Sequence, residues 1–286
     1  MLSRGERRRL TLGVATLLGF RRGFFIPCRF AAAAPTGNDD RSYPPLKPLF
    51  AAARSRFEAW IARAEGYADA LQALEGPPPS PRWNQDWFPG LDAAIAYTII
   101  RTLRPARLVE VGAGHSTRFF VRAAADAGYP IALTAIDPAP RADLGAAGVR
   151  LLRTTVQDTR EAPFAALGPG DVLSIDSSHV LMPGSDVDML VNRILPLLPP
   201  GAIVHIHDIF LPDPYPAAWA WRGYNEQQGV AALLQGSAWR ILWASHFVRT
   251  ACAELLANSV VNRLPLKPGA YEASLWLEKR SLPSTE

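Results

Sequence analysis

The chain has 286 residues, 49% of them hydrophobic and 9% aromatic, which is the composition of a folded protein with a full core and not of a disordered one. Its net charge is +4, but residues 1–30 contain seven arginines against one glutamate, a local charge of +6. The remaining 256 residues therefore carry −2. A nucleic-acid-binding protein needs a basic face on its folded body, so this class is excluded.

The beginning of the chain is basic and then apolar. An apolar run from Leu10 to Phe20 follows the first arginines and has the outline of a signal peptide, with a cleavage site near the alanines 31–34 as one alternative. Arg21 ends the run after about eleven residues, whereas a spanning helix needs about 20. We expect a basic amphipathic arm over residues 1–30 that packs on its own domain or makes peripheral contact with an anionic membrane surface.

Two cysteines, Cys28 and Cys252, lie far apart without a CxxC spacing. This spacing argues against a disulfide framework or a thiolate zinc site and is compatible with a reducing compartment, so we expect a cytoplasmic protein.

The chain divides by composition into an arm and linker (1–48), a helical extension (49–104) and a core (105–286). Apolar residues at helical spacing from 49 to 74 predict one long amphipathic helix that ends at Gly76 and the prolines after it. A second helix is predicted over 91–103.

Short apolar runs then alternate with helical segments. Strands are predicted at 107–112, 131–137, 149–154, 171–176, 202–208, 239–247 and 273–278. Helices are predicted at 117–127, 140–146, 160–167 and 185–198, the last with Ser185 as its N-cap. Such alternation indicates an α/β fold, a doubly wound and mostly parallel seven-stranded sheet, with the last two strands forming an antiparallel edge.

The segment "VEVGAGHST" (109–117) is a strand that enters a glycine-rich turn. A dinucleotide fingerprint needs a third glycine where Thr117 stands, and a nucleophile elbow needs glycine where Arg118 stands, so both are excluded. What remains is an acid on the strand, Glu110, followed by Gly112, Gly114 and Ser116. The glycines allow close approach of a ligand, and the helix start with Glu110 suits a zwitterionic amino-acid group.

Polar residues end the next strands in turn. Asp137 can bind both hydroxyls of a ribose, although "DPAP" is also ordinary turn chemistry. Gln157 and Asp158 follow the third strand, where an adenine amino group would lie, and Asp176 ends the fourth strand at the ligand-binding edge.

From about residue 91 to 277 the chain resembles class I S-adenosylmethionine-dependent methyltransferases, through "VEVGAGHST", "AIDPAP", "DVLSIDSSH" and "GAIVHIHDIF". It is most similar to a compact group of small-molecule O-methyltransferases, some of them magnesium-dependent. The resemblance implies a Rossmann-like fold and S-adenosylmethionine as cofactor. It also implies that Gln157 or Asp158 lies near the adenine and that five further residues bind the cofactor: Glu110, Gly112, Gly114, Ser116 and Asp137.

The candidate catalytic residues are Asp176, His179, His207 and Asp208. The resemblance implies a divalent metal held by Asp176, His207 and Asp208. The magnesium-dependent members of the family have an acid where His207 stands. This departure matters because imidazole suits other metals better than magnesium. Alternatively, His207 or His179 is the general base.

Two further histidines have other interpretations. His205, inside an apolar run, is typical of a hydrogen-bonded core residue. His115 is expected to shape the glycine turn or to contact the cofactor. A two-histidine iron site is disfavoured because the H-x-D spacing is absent.

The aromatic segment 211–230 is the candidate acceptor pocket, beside Glu226. Its proposed lining residues are Tyr215, Trp219, Trp221, Tyr224 and Asn225; alternatively the tryptophans belong to a core helix. Residues 82–88 are expected to form the opposite wall.

The predicted function is S-adenosylmethionine-dependent O-methylation of a small or sugar-like molecule. Two rivals remain at this point. One is a metal-dependent oxygenase-type enzyme on the same core, and the other is a non-catalytic S-adenosylmethionine-binding protein or membrane-surface scaffold.

Overall fold

The structure is a computed structural model that describes residues 2–24, 26–33, 42–140, 148–159 and 162–281. Its strands are β1 (Arg107–Val111), β2 (Ala132–Ile136), β3 (Arg150–Leu152), β4 (Val172–Ile175), β5 (Ile203–Ile206), β6 (Trp239–Ala244) and β7 (Leu275–Lys279). They form one sheet in the order β3-β2-β1-β4-β5-β7-β6.

The sheet is parallel except at β7, which runs antiparallel between β5 and β6. This confirms the predicted Rossmann-like sheet with an antiparallel edge. The strand order reverses between β1 and β4, and ligands of open α/β sheets bind beyond the carboxyl ends of the strands at such a reversal.

Helices flank the sheet. Those before β1 are α1 (Arg4–Leu17), α2 (Lys47–Ala51), α3 (Arg54–Glu65), α4 (Ala68–Gln72) and α5 (Gly90–Leu103). Those after β1 are α6 (His115–Asp126), α7 (Val156–Thr159), α8 (Ala162–Ala165), α9 (Asp186–Met189), α10 (Glu226–Gln235), α11 (Ser245–Ala251) and α12 (Val260–Arg263). None of the helices in the described ranges is long and apolar enough to cross a membrane.

The single long helix predicted for residues 49–74 is wrong. The chain turns at 52–53 and again at 66–67, which gives α2, α3 and α4 in its place. Gly66 is a poor helix former, and the two turns let Phe50, Phe57 and Leu71 all reach one core.

Other boundaries also differ. Ser185 is the N-cap, as predicted, and its hydroxyl accepts from the Asp188 amide at 3.1 Å. The helix leaves α geometry after Met189. Its final turn is a 3₁₀ turn that contains Pro196, which lacks an N–H. The predicted strand 239–247 stops at Ala244 because α11 begins there. Of the helix predicted at 140–146, residues 141–146 lie outside the described residues.

The helical extension shares its core with the sheet. The Phe57 ring of α3 packs edge-on against Trp243 of β6, with 5.7 Å between centroids. On α5, the fully buried Asp92 accepts from the amides of Ala273 and Ser274 at 2.9 Å each. Packing therefore brings a buried carboxylate of the extension beneath the carboxyl end of β5.

Candidate active site

A cavity of about 830 Å³ opens at the carboxyl ends of β1, β2, β4 and β5. This volume is typical of sites for small molecules. Its lining includes many of the predicted site residues: Gly112, Gly114, Ser116, Asp137, Gln157, Asp176, His179, His207, Asp208, Trp219 and Tyr224.

The two glycines of the turn are required for different reasons. Gly112 has φ +81°, and a Cβ there would lie 2.0 Å from the carbonyl oxygen of Asp176, so the protein itself demands glycine. Gly114 has extended backbone with φ −172°, and a Cβ there would have no neighbour within 4 Å. Contacts inside the protein therefore do not explain Gly114.

Glu110 supports the turn from beneath. Its carboxylate accepts from the Ser116 hydroxyl at 2.5 Å and from the Thr117 hydroxyl at 2.6 Å, and it does not line the cavity. Glu110 is predicted to bind the cofactor; in the structure both of its oxygens are occupied by the first turn of α6. Burial, partly offset by these two hydroxyls, raises the pKa of Glu110 to about 8.

Asp137 ties the end of β2 to the same turn. Its two carboxylate oxygens accept from the amides of Ala113 at 2.9 Å and Ala139 at 2.7 Å. Of the pair after β3, Gln157 lines the cavity, whereas the carboxylate of Asp158 accepts from the Thr155 hydroxyl at 2.8 Å and does not line it. The hydrogen bond at the start of α7 thus directs the Asp158 carboxylate away from the cavity, where the adenine is predicted to lie.

Asp176, His179, His207 and Asp208 come together as an acid–imidazole cluster. The Nε2 atom of His179 lies 3.2 Å from Asp176 and 3.5 Å from Asp208. The Nδ1 atom of His207 lies 3.6 Å from Asp176 and 3.5 Å from Asp208. All four line the cavity, and Asp176, whose side chain is 43% exposed, is the most accessible of them.

Each imidazole of the cluster has a second carboxylate behind it. Glu226 is buried and lies 2.8 Å from Nδ1 of His179. Asp92 lies 3.4 Å from Nε2 of His207, a nitrogen that has no hydrogen-bond partner in the described part of the chain. Sequence analysis placed Glu226 only beside the acceptor pocket and missed Asp92, whose signal was a lone acid in the apolar helix "GLDAAIAYTII".

These carboxylates control the charge of the imidazoles. Burial opposes a positive charge on His179, but Asp176, Glu226 and Asp208 outweigh burial and raise its pKa well above the usual range. The pKa of His207 is raised in the same way, against burial, mainly by Asp208 and Asp176. Burial raises the pKa of Asp208. The pKa of Asp176 is lowered, because its interactions with the imidazoles of His179 and His207 outweigh desolvation.

Three ligand atoms of the cluster are grouped as a metal ion would require. Atoms of Asp176, His179 and Asp208 lie within 4.8 Å of one another. The predicted set contains His207 where this group contains His179. The left-handed backbone of His179 (φ +60°) and of Asp208 (φ +58°) brings these two side chains into the group, whereas His207 has its Nε2 directed at Asp92.

The other two histidines differ in burial. His205 is a core residue, as predicted. Its ring nitrogens make hydrogen bonds with the hydroxyls of Ser174 at 2.8 Å and Ser274 at 2.9 Å. Burial lowers the pKa of His205 to about 3. The ring of His115 stacks on Trp87 at 5.1 Å within the cavity wall. Residues 86–88 therefore line this side of the cavity, as expected for the 82–88 segment.

On the acceptor side, Trp219 and Tyr224 line the cavity, and the Tyr224 ring lies 4.4 Å from that of His179. The structure does not bring three other predicted residues to the wall. Each of them has another partner. The Tyr215 hydroxyl accepts a hydrogen bond from the Gln227 amide, and Trp221 packs beside Gly5 of α1. The Asn225 side chain makes hydrogen bonds with the backbone of Leu181.

Residues 109–209, which contain the glycine turn and the whole acid–imidazole cluster, match a family model described as a methyltransferase domain. This part of the chain is therefore similar to methyltransferase domains. A search among curated proteins finds no significant match.

Solved structures similar to this chain include the SAH-bound methyltransferase PaMTH1 of Podospora anserina. It shares 14% identity over 91% of this chain and 100% of that one, with a TM-score of 0.41. A second is the O-methyltransferase TomG of Streptomyces achromogenes with SAM, at 15% identity, 78% and 90% coverage and a TM-score of 0.42. The mycinamycin-pathway methyltransferase MycE with Mg and SAH has 15% identity, 78% and 57% coverage and a TM-score of 0.38.

Proposed function

We propose that this protein transfers the methyl group of S-adenosylmethionine to a hydroxyl group of a small-molecule acceptor. One observation carries the proposal: a single cavity contains the glycine turn and Asp137 on one side and the acid–imidazole cluster on the other. Methyl transfer is an in-line displacement, so donor and acceptor sites must open on the same space.

The donor half of the cavity consists of the glycine turn, Asp137 and Gln157. The amide groups at the start of α6 favour the carboxylate of the methionine part. Gly114 leaves its backbone open to that group, which accounts for a glycine that no protein contact requires. Asp137 accepts the ribose hydroxyls and Gln157 meets the adenine. Glu110 acts indirectly, because it fixes Ser116 and Thr117 beneath the turn.

In the acceptor half, Asp176, His179 and Asp208 fit a divalent cation. They offer two carboxylates and an imidazole whose other nitrogen faces the buried Glu226, an arrangement that commonly orients metal-binding histidines. When bound, such a cation lowers the pKa of a hydroxyl group beside it.

The charge state of His179 supports its assignment as a ligand rather than as the base. Surrounding carboxylates raise the pKa of its imidazole well above the usual range in the ion-free protein, which favours the protonated form, and that form cannot accept a proton from the acceptor. A cation between Asp176 and Asp208 would take the place of that proton.

Aromatic side chains complete the acceptor half. Trp219, Tyr224 and Trp87 line the cavity opposite and beside the cluster, and the guanidinium of Arg222 lies 4.0 Å over the Trp219 ring. These walls exclude water and favour an acceptor with a flat or apolar face.

Calorimetry tests the proposal directly. The wild type is expected to bind both S-adenosylmethionine and S-adenosylhomocysteine, and Asp137→Asn to weaken both by roughly tenfold or more because a ribose partner is lost. Asp69→Asn, which changes an exposed acid on α4, is the matched control and should bind as the wild type does. A wild type that binds neither compound overturns the proposal.

A further inference from the structure

The N-terminal arm (residues 2–24 and 26–33) exposes an unusual amount of apolar surface. Of the sixteen large hydrophobic side chains exposed in the described part of the chain, ten lie on this arm. Leu17, Leu18 and Phe20 are each more than 60% exposed, and α1 has no buried residue. A 14-residue helix is marginal in water, so such a helix needs a surface to cover its apolar side.

The arm touches the body of the protein along a narrow line. Gly5 packs against the Trp221 ring, and Arg9 donates to the carbonyl of Ala220 at 3.3 Å. Leu10, Val14 and Leu17 follow at i, i+4 and i+7, which places them on a different side of α1 from Gly5. The apolar stripe therefore faces away from the domain.

Charge identifies what covers this stripe. The arm is strongly basic, with a charge of +6 over residues 1–30, while the rest of the chain carries −2. A helix with an apolar stripe and flanking arginines is suited to lie in the interface of an anionic bilayer. We propose that the arm docks this protein on an anionic lipid membrane.

Docking would also place the active site. Phe24 of the arm lines the active-site cavity together with Trp219 and Arg222. Contact of the arm with lipid therefore sets the cavity opening beside the membrane surface. On this point the inference rests on the proposed function: the acceptor is a hydroxyl-bearing amphiphile held in that membrane.

Two measurements on the full chain test the docking. The first is co-sedimentation with vesicles of phosphatidylcholine alone and of phosphatidylcholine with 30% phosphatidylserine, the latter being an anionic bilayer. We expect binding to the mixed vesicles only, lost at high salt. Leu17→Asp should weaken vesicle binding on the order of tenfold, because a leucine side chain that would be buried in the lipid is lost. Leu197→Asp is the control, since Leu197 is 70% exposed but lies far along the chain from the arm.

The second measurement uses the arm's own thiol. Cys28 is exposed and Cys252 is buried, so a polarity-sensitive thiol dye will label the arm selectively. Its emission should shift to the blue when mixed vesicles are added and should not shift with neutral ones.

The outcomes separate the two proposals. Absence of binding to the mixed vesicles, or equal loss in Leu17→Asp and Leu197→Asp, overturns the docking. So does an arm-dependent dimer in sedimentation velocity that binds no vesicles, because a second copy would then cover the stripe. Vesicle binding by a protein that does not bind S-adenosylmethionine in the calorimeter leaves the docking intact and removes the proposed function.

Discussion

The two halves of the active-site cavity are built differently. In the donor half, hydroxyl and amide donors of two neighbouring turns satisfy each acid. Glu110 accepts from the hydroxyls of Ser116 and Thr117, and Asp137 accepts from the amides of Ala113 and Ala139. In the acceptor half, carboxylates and imidazoles from distant parts of the chain crowd together. A half whose acids are already satisfied is ready to receive a zwitterionic amino-acid group and a ribose, whereas a crowded half gains from a cation.

The sharpest test of the donor half compares its two glycines. Gly112→Ala puts a Cβ against the Asp176 carbonyl at positive φ, so we expect a loss of at least ~3 kcal/mol in the free energy of unfolding. Gly114→Ala meets no protein atom and should change stability by less than ~0.5 kcal/mol, while weakening S-adenosylmethionine binding. Urea unfolding and calorimetry measure the two effects. Equal stability of both variants would contradict the distinction.

In the acceptor half, the expected effect is on metal affinity. Calorimetry with MnCl₂ should show one site in the wild type. We expect the manganese affinity to fall about 100-fold in Asp208→Asn, which removes a ligand, and about tenfold in Glu226→Gln, which removes the charge beside His179. Asp213→Asn alters a partly exposed acid that pairs with His246 and should leave the affinity unchanged. Unaltered manganese binding in Asp208→Asn would exclude the assigned ligand set.

The contrast also explains what the sequence could predict. The mostly parallel sheet, the glycine turn and Asp137 could be predicted from contiguous motifs, because β1 and the start of α6 determine their own geometry. The choice of His179 over His207 depends on left-handed backbone at His179 and on the buried Glu226, 47 residues away. Asp92 reaches His207 only through the packing of α5, which no spacing in the sequence encodes.

A third prediction uses the neutral acid of the donor half. Glu110 has a pKa of about 8 in the folded protein against 4.5 for its ordinary value, so the folded state holds the proton more tightly. Its contribution to stability is complete below pH 4.5 and is lost as the pH rises towards 8. We expect the wild type to lose about 3 kcal/mol more than Glu110→Gln between pH 5 and 8.

Urea unfolding at both pH values measures this difference. The exposed Glu58→Gln is the control, and its pH dependence should equal that of the wild type. Parallel pH profiles for the wild type and Glu110→Gln would show that the buried carboxyl is ionised.

The smallest effect concerns the polar pair after β3. The Asp158 carboxylate accepts a hydrogen bond from the Thr155 hydroxyl at the start of α7 and does not line the cavity. We therefore expect Asp158→Ala to lower the free energy of unfolding by no more than ~1 kcal/mol and to leave cofactor affinity unchanged. Gln157→Ala removes a residue of the cavity wall and should weaken S-adenosylmethionine a few-fold, at a cost similar to one neutral hydrogen bond. Calorimetry of the two variants side by side decides which residue meets the adenine. If Asp158→Ala is the weaker binder, the loop after β3 must rearrange when the cofactor enters, and the donor half would then be less preorganised than its local hydrogen bonds indicate.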